Sequence, residues 1–182
     1  MTEYIAFLRA INVGGRTMIK MDALRLALES AGLKSVRTYI QSGNVIFRSK
    51  LQNRQSLIKK MRAVIAGLGH DVSVVVITLA ELEDVVRNGP FNQFPGSKDS
   101  MLFVVWLAGE PLIKVKLPFA SPSECLDVIG INSQAMFVVG RRKKNGSFDF
   151  PNNFLEKQLG IKATTRNWST VVKLLEFAKN ST

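Results

Sequence analysis

Cysteine and histidine are nearly absent from this sequence: each occurs once, as Cys125 and His70. One cysteine closes no internal disulfide and builds no cysteine-based zinc site, so a stapled secreted framework and a zinc knuckle are both excluded. One histidine excludes a multi-histidine metal centre, and any Ser-His-Asp or Cys-His machine would have to use His70 itself. No apolar run reaches the roughly 18 residues needed to span a bilayer, and no basic segment precedes a long apolar core near Glu3 at the N-terminus. A cytoplasmic protein with no membrane partner is expected. Paired carboxylates, metal-ligand spacing and a nucleophile elbow are also missing, so the sequence calls for no metal and no cofactor.

Acidic residues are scarce as well. Against 25 Lys and Arg stand 14 Asp and Glu, a formal net charge of +11. The imbalance is uneven: residues 1–78 hold 12 cations and 4 carboxylates, residues 79–182 hold 13 and 10. A basic half attracts nucleic acid, anionic lipid or a phosphorylated ligand, and the same charge also serves solubility alone. With 46% apolar and 21% charged residues in 182, the composition is that of a folded chain of one or two domains.

Residues 3–10 read as a strand stopped by Asn12 and the Gly14-Gly15 pair. Met18, Met21, Leu24, Leu28 and Ala31 then fall at helical spacing, with Gly32 where a left-handed cap belongs. Val36 to Gln41 and Asn44 to Arg48 form a hairpin pattern across Ser42 and Gly43. Leu57, Met61, Val64, Ile65 and Leu68 predict a second helix, and Val72 to Ile77 a β-branched strand. Thr78 and Glu81 have capping-box spacing, so another helix starts there and ends near Asn88, Gly89 and Pro90.

After a loop over 90–100, Met101 to Leu107 is a fully apolar strand. Residues 108–124, with Pro111, Pro118 and Pro122, are only weakly helical. Cys125 to Ile131 and Ala135 to Gly140 suggest a second hairpin, followed by a helix over Asn153 to Leu159, a strand over Lys162 to Arg166 and a helix over Ser169 to Lys179. The order βαββαβ therefore occurs twice. The expectation is an α+β chain of two tandem ferredoxin-like subdomains, a basic one over 1–78 and a second over 79–182 with a C-terminal helix.

Several strands carry apolar side chains on both parities, as in Tyr4 to Leu8, which requires antiparallel sheets covered on both faces. Helices cover one face of such a sheet, and the other is expected to pack on the second subdomain or on a second chain. A free sheet for stacking bases is correspondingly disfavoured.

A right-handed crossover in the first subdomain gathers Asn12, Gly14, Gly15, Arg16, the turn Gln41-Ser42-Gly43-Asn44 and His70 on one sheet edge. Glycine-rich turns there could aim N–H groups at a phosphate or carboxylate, although the pair lacks a Walker ending and such turns also exist for the backbone alone. The polar run from Thr164 to Thr170 opens the last helix, either as an anion site or as a cap with Trp168 on the core. The run Arg141-Arg142-Lys143-Lys144 is either a polyanion contact or a solvated tip. Phe91 and Phe94 are either core anchors or an exposed rim.

Three stretches carry a family likeness: Leu8-Arg9-Ala10-Ile11-Asn12-Val13-Gly14-Gly15, Thr38-Tyr39-Ile40-Gln41-Ser42-Gly43-Asn44-Val45 and Thr164-Thr165-Arg166-Asn167-Trp168-Ser169-Thr170-Val171. With Pro90-Phe91, they resemble the bacterial domain-of-unknown-function family numbered 1697 over nearly the whole chain. Members typically have glycine where Ala10 stands, which bears on any close backbone approach there. The resemblance implies two ferredoxin-like subdomains and no established activity.

Turn chemistry and these motifs make Arg9, Asn12, Gly14, Gly15, Arg16, Tyr39, Gln41, Ser42, Gly43, Asn44, Thr165, Arg166, Asn167 and Trp168 the candidate ligand-binding residues. Three functions stay open: a module binding nucleic acid or another polyanion, an enzyme or sensor for a small anionic metabolite, and a dimerising interaction protein. Basic residues such as Arg16, Arg48 and Arg54 would serve the first.

Overall fold

The computed structural model describes residues 1–12, 18–94, 96–109, 116–117 and 119–180. It is a mixed α+β structure with two antiparallel sheets and five helices among those residues. The chain separates into two compact units, residues 1–83 with 174–182, and residues 84–173.

In the first unit, β1 (Thr2–Leu8), β2 (Lys34–Tyr39), β3 (Asn44–Ser49) and β4 (Val74–Thr78) form a sheet of order β2-β3-β1-β4. Helix α1 (Met21–Ser30) joins β1 to β2, and α2 (Arg54–Gly67) joins β3 to β4. Both helices bury one stripe, Met21, Leu24 and Leu28 in α1 and Leu57, Met61 and Ile65 in α2. These stripes share a core with Tyr4, Ala6, Leu8, Val45, Phe47, Val74 and Val76. Each fully buried Leu or Phe there contributes about 1.5–3 kcal/mol. The opposite parity is buried too, as Ile5, Phe7, Ile46, Val75 and Ile77 show.

β1 ends at Leu8 rather than at residue 10, because Ala10 and Asn12 both take φ of 53°. A left-handed residue cannot extend a strand, and it suits the glycine that the family motif has at Ala10. Met18 lies outside α1 and is exposed. The β2–β3 connection has four residues, 40–43, rather than two, with φ of 49° at Ile40 and 76° at Gly43. Asn53 caps α2 by accepting the Ser56 N–H at 2.9 Å.

The Thr78/Glu81 capping box forms in full. Thr78 Oγ1 accepts the Glu81 N–H at 3.1 Å, and Glu81 accepts the Thr78 N–H at 2.8 Å. It opens α3 (Leu79–Arg87), which runs from the first unit into the second.

The second unit holds β5 (Ser100–Leu107), β6 (Phe119–Ser121), β7 (Leu126–Ile131), β8 (Ala135–Arg141) and β9 (Ala163–Asn167) in the order β6-β7-β8-β5-β9. Helix α4 (Asn152–Leu159) packs Leu155 and Leu159 against Phe103, Val105, Leu107, Val128 and Val138. In the proline-bearing segment between β5 and β7, the described residues form the edge strand β6 and no helix. Helix α5 (Trp168–Lys179) follows β9 directly, and its last turns count with the first unit.

There the α5 terminus is anchored on β2. Arg37 donates to the carbonyls of Phe177 and Ala178 at 3.3 and 3.2 Å and lies 5.6 Å over the Phe177 ring. A cation at a helix C-terminus complements the partial negative charge of its free carbonyls. Glu3 holds that guanidinium at 3.0 Å and also Arg48 at 3.6 Å.

Candidate functional site

The end of β1 meets two turns. Leu8 N–H donates to Gly43 O at 2.8 Å and Arg9 N–H donates to Ser73 O at 2.9 Å, which joins the β2–β3 turn and the approach to β4 on one edge. Asn12 clasps that edge: its amide donates to Ile19 O and Gln41 O, both at 2.9 Å, and its oxygen accepts the Ile19 N–H at 2.8 Å. Asn44 is fully buried and donates to Tyr39 O and Ser42 Oγ, both at 3.1 Å. Tyr39 packs against Phe177 with the rings tilted at 39° and their centres 5.2 Å apart. Gly43 is a packing requirement as well as a left-handed one, since a Cβ there would lie 2.6 Å from Ile11 Cδ1 and 2.9 Å from Leu8 Cβ.

The first two motifs therefore converge, and their polar side chains spend hydrogen bonds on backbone carbonyls and on each other. Gly14, Gly15 and Arg16 lie outside the described residues. Beside this edge is a cleft of about 460 Å³ lined by Lys20, Met21, Asp22, Thr38 and Gln41, at the first turn of α1. Lys20 gives that helix no side-chain cap, and Asp22 already supplies a negative charge there. His70 closes α2, with its N–H on Ile65 O.

Thr165, Arg166, Asn167 and Trp168 belong to the second unit. Thr165 Oγ1 bonds the Asn152 side chain, and Arg166 donates to the Thr165 carbonyl at 2.8 Å. Burial pushes the Arg166 guanidinium down to about 10 from its ordinary value, because the charged form loses its water. Asn167 ends β9 immediately before α5. Trp168 packs edge-on to Phe91 at 5.3 Å, and Phe91 meets Phe137 at 6.0 Å. Phe91 is thus a buried anchor, whereas Phe94 is exposed.

The basic run that begins with the last residue of β8 is largely neutralised. Arg141 pairs with Asp127 at 3.0 Å, Arg142 with Asp99 at 3.7 Å, and Lys143 with Asp149. The hydrogen bond to Asp149 raises the Lys143 ammonium above its usual range. Among the described residues, five arginines of the first unit are also paired: Arg25 with Glu29, Arg37 and Arg48 with Glu3, Arg54 with Glu81 and Arg62 with Asp71.

Lys179 pairs with Glu83 at 3.0 Å, but four other lysines of this unit have no such partner. Among the described residues, Lys20, Lys34, Lys50 and Lys59 form no ion pair, and all four are exposed. Lys34 and Lys50 line one cleft with Lys60, Ser49, Leu33 and Leu51, about 430 Å³ in volume and free of carboxylates. This cluster escaped the sequence reading. The signal was available in the hairpin register, which sets Lys34 opposite Arg48 and so next to Ser49 and Lys50, but Lys60 comes from a separate helix.

Among the described residues, no helix is long and apolar enough to cross a membrane, and no group of three or more His, Cys, Asp or Glu could hold a metal ion. No curated protein matches the chain. A conserved bacterial protein from Streptococcus pneumoniae has a similar solved structure, with a TM-score of 0.66 and 22% identity over 98% of this chain and 99% of that one. At that identity the likeness concerns the fold. The model of the family described as "Protein of unknown function (DUF1697)" matches residues 1–137, which takes in the whole first sheet and the second as far as β8. The chain belongs to that family.

Proposed function

We propose that this protein binds nucleic acid through the phosphate backbone, using the lysine-rich surface of the first unit. One observation carries the reading. Glu3, Glu29, Asp71 and Glu81 are tied to arginines, so the lysines at the start of β2, the end of β3 and along α2 keep uncompensated charge. Phosphate contacts made by lysine carry no sequence information, and base stacking on the sheet is disfavoured because side chains of both parities are buried. Binding is therefore sequence-independent and steeply salt-dependent.

The strand order of the first sheet supports a ferredoxin-like βαββαβ unit, and β7-β8-β5-β9 repeats that order with β6 added at the edge. We read the chain as two such subdomains, 1–78 and 79–182, each sheet covered on both faces, acting in the cytoplasm. Side chains of both strand parities are buried within one chain, so apolar strand faces supply no motive for a homodimer. A small anionic metabolite is the second reading, favoured by the cleft beside Gln41 and the first turn of α1.

The test is fluorescence anisotropy with labelled single-stranded RNA and duplex DNA between about 20 and about 200 mM salt. Three to four lysine contacts predict a log–log slope of about −3 for duplex DNA, and Lys34→Ala with Lys50→Ala reduces it by about 2. No binding at the lowest salt would overturn the reading and leave the charge as a solubility feature.

A further inference from the structure

The lysine cleft is built differently from an ordinary basic surface. It lies at the sheet end opposite the β2–β3 turn, where α1 finishes, β2 begins and β3 ends. Lysines arrive from three elements: Lys34 from β2, Lys50 just after β3, and Lys60 from α2. Lys60 Nζ donates to Ala31 O at 2.8 Å, which neutralises the C-terminal carbonyls of α1 and leaves two of its N–H groups for a ligand.

At the base of the cleft sits Ser49, only 6% exposed. Its hydroxyl oxygen accepts the Leu51 N–H at 3.0 Å, which frees its proton to donate into the cleft. The nearest strand carboxylate, Glu3, is held by Arg37 and Arg48 and brings no competing charge. Leu33 and Leu51 contribute apolar walls.

We propose that this cleft is a site for a terminal phosphate, a phosphomonoester dianion whose oxygens take the three ammonium groups and the Ser49 hydroxyl. A phosphomonoester carries about −1.5 to −2 at neutral pH, against −1 for a backbone diester, so three cations around one concavity match the terminal group better. A volume of about 430 Å³ accommodates one phosphate with its sugar and excludes a duplex. The proposal deepens the nucleic-acid reading and rests on it for one of two sources: the phosphorylated end of a strand, or a free phosphorylated metabolite.

The experiment uses the full chain in phosphate-free buffer. Anisotropy compares a short single-stranded oligonucleotide bearing a 5′-phosphate with the same oligonucleotide bearing a 5′-hydroxyl, and calorimetry measures ribose 5-phosphate and inorganic phosphate. The 5′-phosphate is expected to tighten binding about tenfold, as a charge-assisted contact allows. Lys34→Ala with Lys50→Ala abolishes that difference, and Ser49→Ala lowers it. Both lysines are exposed, so the double variant stays folded even if Ser49→Ala, at a buried position, melts early.

Salt-sensitive binding that ignores the 5′-phosphate overturns the terminal-phosphate site and leaves the backbone reading standing. Binding of ribose 5-phosphate, lost in the lysine variant, without oligonucleotide binding upholds the cleft and removes the nucleic-acid reading. Silence from all four probes removes both.

Discussion

The two units share a strand order, with β6 added at the edge of the second, but differ in where their cations find carboxylates. In the second, the run Arg141 to Lys143 has a carboxylate for each cation, from Asp127, Asp99 and Asp149. In the first, Glu3, Glu29, Asp71 and Glu81 pair with arginines and Glu83 with Lys179, while Lys34, Lys50 and Lys60 from separate elements meet around one cleft. A dense basic run is thus a weaker guide to uncompensated charge than scattered lysines that the fold collects. What matters is whether a carboxylate lies within reach, and that is settled by strand register and helix placement.

The hairpins differ as well. Unit one closes β2–β3 with Gly43 wedged against Ile11 and Leu8 at φ of 76°, whereas unit two closes β7–β8 with Asn132, whose side-chain oxygen accepts the N–H groups of Gln134 and Ala135 at 2.9 and 2.7 Å. Gly43→Ala combines left-handed strain with overlap against core side chains, a loss of about 3 kcal/mol. Asn132→Ala removes turn hydrogen bonds at an exposed position and costs about 1 kcal/mol. Denaturant titration of the two variants measures the contrast, and equal losses would mean that the Gly43 site relaxes around a methyl group.

A buried cation distinguishes the second unit. Because the Arg166 value is about 10 in the folded protein, below that of a free guanidinium, the unfolded chain binds more protons above that pH. This group therefore makes stability rise as pH climbs through 10, with a slope of at most about 1.4 kcal/mol per pH unit. Arg166→Met removes that slope. Parallel melting of both proteins between pH 9 and pH 11, roughly one unit either side of the value, reads it.

Left-handed residues offer a smaller contrast. Ala10 is exposed at φ of 53°, and Ala10→Gly relieves backbone strain for a net gain of about 0.5 kcal/mol after the entropy of glycine is counted. Cys125 in the second unit has φ of 54°, but it is half-buried and its thiol approaches Pro122 O at 3.6 Å, so Cys125→Gly gives no gain. Thermal melts of the pair test whether strain or side-chain contact dominates at such positions.

The smallest effect is on the basic run itself. Asp127→Asn with Asp149→Asn frees Arg141 and Lys143, and low-salt affinity for duplex DNA should rise about twofold to fivefold. Unchanged affinity would show that pairing is not what silences the run.

Much of the fold was legible because its signals are local. The stripe Leu57, Met61 and Ile65 marks α2, and the Thr78/Glu81 spacing marks α3, since each depends on neighbours three or four residues away. The convergence of Asn12 with Gln41 followed from the crossover and the hairpin together. The four-residue turn was not legible, because Ile40 at φ of 49° is a conformation that its β-branched side chain opposes. Nor was the packing role of Gly43, which depends on Ile11 from another loop.

By itself, the sequence determined the two antiparallel hairpins, the helices α1, α2 and α4 beside them, the basic first half and the exclusion of an internal disulfide and of a multi-histidine metal centre. Periodicity, turn residues and composition act over a few positions or over the whole chain, and both scales are open to inspection. The tertiary structure alone decided which cations keep their charge uncompensated. Glu3 reaches Arg37 and Arg48, Glu81 reaches Arg54, and Lys34, Lys50 and Lys60 share a cleft only because strand register and helix docking bring distant residues within a few ångströms, the range over which charges pair.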